Sequence, residues 1–260
     1  MSDVSATPDE GEAFLTPNNL DSTLTQTIFE DKRLLLKQVA DQTQFIHLLL
    51  HQLATPLTSL QGSVHLLSED LSEDQRQEFL ALVHQQVQHL QDLLQSLVAL
   101  QNLEAGMLDA RRIAFCLRSL AEEVRGKFYS RLVVNHIQSL PHVWGDRWQV
   151  SQILINLLSN ATKYSSADSA IEIGATLNSE GFVEVWVQDH GLGIPADGQA
   201  HLFERFYRVR HPDRANISGT GLGLSLCKLL VENQGGQIGF ESVHGEGSRF
   251  YFTLLMAQPA

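Results

Sequence analysis

The sequence predicts an all-α helical hairpin, two copies of which form a dimeric four-helix bundle, followed by an α+β domain of two layers. Three observations point there. From about residue 22 to 104 the only Gly is Gly62 and the only Pro is Pro56. Within that stretch, apolar residues recur at helical spacing on two separate segments. After about Leu108, several short runs alternate with period two between Gly-containing turns.

The chain begins with Asp3, Asp9, Glu10, Glu12, Asp21, Glu30 and Asp31, and its first 31 residues hold no Lys or Arg. Pro8, Pro17 and many Ser and Thr share this stretch. No apolar face starts before about Leu24, so residues 1–22 read as a disordered acidic tail. The whole chain of 260 residues carries 18 Lys and Arg against 30 Asp and Glu, a net charge of -12. That balance argues against nucleic acid as a partner. No apolar run is long enough for a membrane span, and no signal peptide precedes the hairpin. Cys116 and Cys227 make neither a disulfide scaffold nor a metal-type spacing. These features together fit a cytoplasmic protein.

The hairpin is assigned to residues 23–108. Ile46, Leu49, Leu53, Leu57, Leu60, Val64 and Leu67 follow one another at steps of 3, 4, 4, 3, 4 and 3, which makes one apolar stripe on a helix. Ser72 and Gln75 form a capping-box pattern that starts a second helix. There Phe79, Val83, Val87, Leu90, Leu94 and Leu97 make a second stripe. A lone helical pair buries too little apolar surface, hence the expectation of a homodimer.

Residues 109–260 form the second domain. Helices are expected near Leu117–Phe128, at Ser151–Thr162 and at Leu222–Asn233, with a β-rich run at Arg131–Ile137. Ile171–Leu177 and Val183–Val187 form a hairpin around Asn178-Ser-Glu-Gly181. Ile238–Val243 and Arg249–Leu255 form another around His244-Gly-Glu-Gly247. Such a mixture argues for a sheet with helices on one side.

Two glycine clusters stand out. Asp189-His-Gly-Leu-Gly-Ile194 follows a strand, and Gly219-Thr-Gly-Leu-Gly-Leu224 opens a helix. Glycines let backbone N–H groups approach an anion, and a helix N-terminus favours negative charge. Neither cluster has the Walker or the Rossmann spacing, and either alone reads as an ordinary turn. Asn156 and Asn160 lie one turn apart on a helix, with Lys163 a turn further on. Carboxamides offer neutral oxygens to a hard cation such as Mg²⁺. Without the glycines, this would read as a solvated helix face.

In order, the segments HQLATPLT, QILINLLSNATKYS, DHGLGI, LFERFYR, GTGLGLSL and HGEGSRF resemble the motifs of the sensor histidine kinases of two-component systems. They correspond to the H-box, N-box, first glycine box, F-box, second glycine box and a shorter third glycine motif, over roughly residues 45–255. The resemblance implies a dimerisation and histidine-phosphotransfer hairpin. It also implies a Bergerat-fold ATP-binding domain, shared with gyrase and the Hsp90 chaperones. By motif, His51 is the phospho-acceptor and Asn160 the Mg²⁺ ligand, with Asn156 and Lys163 near the phosphates. Tyr164 stacks on adenine, and Asp189 accepts the adenine amino hydrogen. Gly191 and Gly193 let the backbone close over the base. Arg208 reaches the γ-phosphate from a lid over Val209–Ser218. Gly219, Thr220, Gly221, Leu222 and Gly223 form the phosphate side. The implied cofactors are ATP and Mg²⁺, and the implied partner is the receiver domain of a response regulator.

The helical period supports His51 independently. It lies about 200° around the helix from Leu49 and Leu53, so it faces away from the apolar stripe. An exposed histidine is largely neutral at pH 7, with a ring nitrogen available for attack. One departure matters. The family has an acid directly after the acceptor, and Gln52 stands there; Thr55, three residues on from Gln52, is retained. Two readings follow: an active autokinase, or a kinase-like dimer that scaffolds or dephosphorylates a response regulator while hardly labelling itself.

Overall fold

A computed structural model describes residues 17–69, 71–106, 110–128, 131–137, 140–209 and 219–257. Helix α1 (Pro17–Leu66) begins inside the stretch read as a tail, whose residues 1–16 lie outside the described ones. Proline suits a first helical position, where no N–H partner is needed and φ is already set. The chain divides into two compact units, 1–54 and 55–260, so the division falls within α1 rather than near residue 108.

The first unit is, among its described residues, the N-terminal part of α1. Its apolar side chains stay largely in solvent: Phe29 is 72% exposed and Ile28 63%.

The second unit holds the rest of α1, then α2 (Glu73–Glu104) and the layered domain. The predicted capping box starts α2. Gln75 N–H donates to Ser72 Oγ at 3.3 Å, and Ser72 N–H donates to Gln75 Oε1 at 3.1 Å. The most buried residues of α2 are Leu93 and Leu100, which the predicted stripe omitted, whereas Leu94 is 54% exposed. Helix α2 packs against α6 (Gly223–Asn233), so part of its surface serves a contact outside the hairpin.

The sheet has seven strands among the described residues: β1 (Ile113–Phe115), β2 (Val133–Asn135), β3 (Val143–Gly145), β4 (Ile171–Leu177), β5 (Phe182–Asp189), β6 (Ile238–Val243) and β7 (Gly247–Met256). Their order is β1-β3-β7-β5-β4-β2, with β6 also paired to β7. Only β2 with β4 is parallel. One edge of β7 pairs with β5, and the other pairs with β6 and, at its end, with β3.

Alternation sorts the two faces. Val183, Val185 and Val187 on β5, and Phe250, Phe252 and Leu254 on β7, point to the covered side. Glu184, Trp186, Arg249 and Tyr251 lie between them and are half-buried. Helices α3 (Leu117–Arg125), α4 (Arg147–Tyr164) and α6 supply Leu120, Leu154, Leu158 and Val231 to the core, and the short α5 (Ala196–Gln199) precedes α6 in the chain. Each such side chain contributes about 1.5–3 kcal/mol by leaving water. Strands β1 and β3 are not expected from the sequence; each is three residues long, too short to show alternation, and neither sits in a longer β-rich run as β2 does. Helix α4 starts at Arg147 rather than Ser151, since Asp146 caps it by accepting from Trp148 and Gln149 N–H at 2.9 and 3.0 Å.

Candidate functional site

Asp189 ends β5 on the face of Val183, Val185 and Val187, so strand alternation alone turns its carboxylate inward. It is 7% exposed. Gly191 N–H donates to its Oδ1 at 2.9 Å, and Ser248 N–H donates to the same carboxylate. Burial nevertheless prevails and pushes the carboxyl above its ordinary range, against the pull of those donors and of His190. A buried carboxylate of this kind is a strong acceptor for a ligand N–H.

Helix α4 ends at Tyr164. Its last turn is closed by Ser165, whose N–H and Oγ both donate to Ala161 O, at 3.1 and 2.6 Å. The Tyr164 carbonyl takes Leu192 N–H at 3.1 Å, which fastens the first glycine cluster to the helix end. The cluster is held on its other side as well: Gly245 N–H donates to Leu192 O at 2.7 Å, and Ile194 N–H to Ser242 Oγ at 2.9 Å. Gly193 sits at φ 60°, and a Cβ there would collide with the Val243 carbonyl. The third glycine motif therefore serves as a brace for the first.

These elements surround a cavity of about 750 Å³. Of the predicted residues, α4 contributes Asn156, Asn160, Lys163 and Tyr164. Asp189 and Gly193 form one wall, Arg208 another, and Gly219, Thr220, Gly221 and Gly223 a third. Two of the residues expected to bind nucleotide do not line it. Leu222 is wholly buried and belongs to the core beneath the helix start. Gly191 stands behind the wall, where its N–H holds Asp189. Lys163 is mostly buried, which pushes its ammonium below the ordinary lysine range; Arg208 acts the same way and Asp92 of α2 opposes it. His51 is exposed and Gln52 half-buried on α1 in the first unit, and Thr55 is exposed at the start of the second. Of the expected lid, Val209 lines the cavity, while residues 210–218 lie outside the described ones.

The sequence reading missed Ser248, Tyr207 and Phe250, and the α2 residues Asp92, Gln95 and Asn102, all on the cavity wall. Ser248 acts through its backbone, and α2 reaches the cavity by a long-range packing that no local pattern announces. Among the described residues no group of three His, Cys, Asp or Glu can hold a metal ion. A cation here would need Asn160 and oxygens brought by an anionic ligand. The buried acceptor, the carboxamide pair, the cations and the glycine walls fit a purine nucleotide with its phosphates.

Fold and cavity together define an ATP-binding layer of the Bergerat class. Residues 145–258 match the family described as histidine kinase-, DNA gyrase B- and HSP90-like ATPases, and residues 41–106 match the His Kinase A phospho-acceptor domain. The circadian input-output histidine kinase CikA of Synechococcus elongatus is 32% identical over 248 residues, which is 87% of this chain and 31% of that protein. The adaptive-response sensory kinase SasA of Synechocystis is 31% identical over 239 residues, 86% of this chain and 62% of that one. The structure of the Acinetobacter baumannii histidine kinase AdeS superposes with a TM-score of 0.63 at 25% identity, covering 80% of this chain and 98% of that one. The chain belongs to the sensor histidine kinases. It spans less than half the length of the first curated relatives it matches. No helix among the described residues is long and apolar enough to cross a membrane.

Proposed function

We propose that this chain is the catalytic part of a cytoplasmic two-component kinase, which phosphorylates its own His51 from Mg-ATP and passes the phosphoryl group to an aspartate of a response regulator. The observation that carries this reading is the buried Asp189 carboxylate, set in one cavity with Asn156, Asn160, Lys163 and the glycine walls. In it, residues 23–108 are the dimerisation and phosphotransfer part, 109–260 the ATP-binding part, and 1–22 an acidic tail.

Asp189 accepts the adenine amino hydrogen, and Tyr164 stacks on the base. Asn156, Lys163 and Arg208 meet the phosphates, beside Gly219, Thr220, Gly221 and Gly223. Leu222 anchors that loop from below, and Gly191 fixes Asp189. Asn160 supplies a neutral oxygen to Mg²⁺, which when bound neutralises phosphate charge. An imidazole nitrogen of His51 attacks the γ-phosphorus, the bond to the β-phosphate oxygen breaks, and ADP leaves. The ring, now cationic, then sheds the proton on its other nitrogen.

Incubation with γ-labelled ATP tests this. Wild type is expected to take up acid-labile label, His51→Gln to take up none, and label to move to an added receiver domain. Label on His51→Gln equal to wild type would exclude His51 as acceptor.

Gln52 favours a second reading, in which the dimer mainly scaffolds or dephosphorylates its regulator, with Thr55 orienting water. A carboxamide cannot take the imidazole proton. Gln52→Glu is expected to raise the initial labelling rate by roughly 10–10³-fold, within the usual range for acid–base groups. Label that appears only in Gln52→Glu would support the second reading.

A further inference from the structure

Among the described residues, Phe206 is the only one other than glycine with a left-handed backbone, at φ 62°. For a bulky L-residue this conformation crowds Cβ against the next carbonyl, so it persists only where the surroundings impose it. The imposing partner is Gly221. Phe206 N–H donates to the Gly221 carbonyl at 2.9 Å, and Gly221 is itself left-handed at φ 72°. The two backbones lie against each other: a Cβ on Gly221 would stand 2.7 Å from both Cα and C of Phe206.

Both sides of this contact are anchored. Leu202 is buried, and the Tyr207 ring packs on His201 at 5.4 Å between centroids. On the glycine side, Leu222 N–H donates to Thr220 Oγ1 at 3.2 Å, and Leu222 is wholly buried. Tyr207, Arg208 and Gly221 all line the cavity. With an ordinary negative φ at Phe206, its N–H would leave Gly221 and the chain beyond it would take another direction, carrying Arg208 out of place.

We propose that Phe206 is a positioning residue, whose left-handed backbone, clasped to Gly221, aims Tyr207 and Arg208 into the cavity and sets its phosphate-side wall. The proposal rests on the ATP reading of that cavity.

The test compares Phe206→Gly, Phe206→Ala and Phe206→Val. All three lose the ring. If Phe206 only filled space, Val would be the best replacement and Gly the worst. If the backbone conformation is what matters, the order reverses, because Gly adopts positive φ freely and a β-branched residue resists it. The measurements are Kd for Mg-ATP, by competition with a fluorescent ATP analogue, and Tm without nucleotide. The expected Kd order is Gly tightest, then Ala, then Val, with Val roughly tenfold weaker than Gly, as a left-handed penalty of this kind implies. Should Val fail to fold, tighter binding by Gly than by Ala supports the proposal, and the opposite overturns it. A Kd order of Val, Ala, Gly, or three equal values, overturns it while wild-type binding stands. A wild type that binds no ATP overturns the kinase reading and this proposal together.

Discussion

Phe29 on α1 is 72% exposed, while Phe252 on β7 is wholly buried. The contrast extends to their neighbours. Ile28, Leu35 and Val39 on α1 are each more than half exposed, whereas Val183, Val185, Ile153 and Leu154 show no exposed surface. A sheet with helices on one face encloses its own apolar side chains. A long helix encloses none, and its apolar surface is complete only against another chain or segment. The same residue types are thus enclosed in one region and open to solvent in the other.

Truncation in the layered core should have the largest effect. Phe252→Ala removes a wholly buried ring between β5 and β6, and is expected to cost about 3–5 kcal/mol in urea unfolding of the layered domain. A loss below about 1 kcal/mol would mean that the core is less closed than its burial indicates. The hairpin should answer to a different measurement. Val87 is 41% exposed in the single chain and belongs to the predicted stripe. Val87→Glu should weaken dimerisation roughly 100-fold, since an unpaired charge would enter the interface, and leave ATP affinity within about threefold. Light scattering across concentration reads this, and a wild type that is monomeric at micromolar concentration would remove the basis of the comparison.

Asp189 tests the closed region from within. Its folded carboxyl titrates above the ordinary range because burial penalises the charge. The folded state therefore binds this proton more tightly than the unfolded chain. Stability falls as pH rises from the ordinary carboxylate value through the raised one, and the penalty is fully present above that. Asp189→Asn should accordingly be more stable than wild type at pH 7, by up to about 1 kcal/mol, and yet bind ATP far more weakly. The stability difference should shrink on acidification through that window. A variant less stable than wild type at pH 7 would show that the two backbone donors outweigh the burial. The smallest effect is expected at the hairpin turn. Ser72→Ala removes one side of an exposed capping box on α2 and should cost about 0.5 kcal/mol, read as a lower Tm.

Much of the site was legible because its signals are local. The six motifs stand in order along the chain, and each is a short run whose chemistry its own residues carry. The capping box of Ser72 and Gln75, the alternation through Val183–Val187 and the i, i+4 pair Asn156 and Asn160 all follow from spacing within one element. The resemblance places Leu222 on the phosphate side, and its side chain is wholly buried, because a motif does not say which of its residues turns inward.

By itself the sequence determined the helical hairpin and the mixed second domain, since helix and strand periods are properties of consecutive side chains, and its motifs named Asn156, Asn160, Lys163, Tyr164, Asp189 and the glycines of the cavity wall. Only the tertiary structure decided that Leu93 and Leu100, not Leu94, are the buried residues of α2, because the helical period marks a face and not which of its side chains are covered. It alone decided that Ser248 N–H reaches Asp189, which follows from the pairing of β5 with β7. The left-handed Phe206 belongs to the same class. No propensity places a phenylalanine at φ 62°; the backbone of Gly221, brought up from another segment, holds it there.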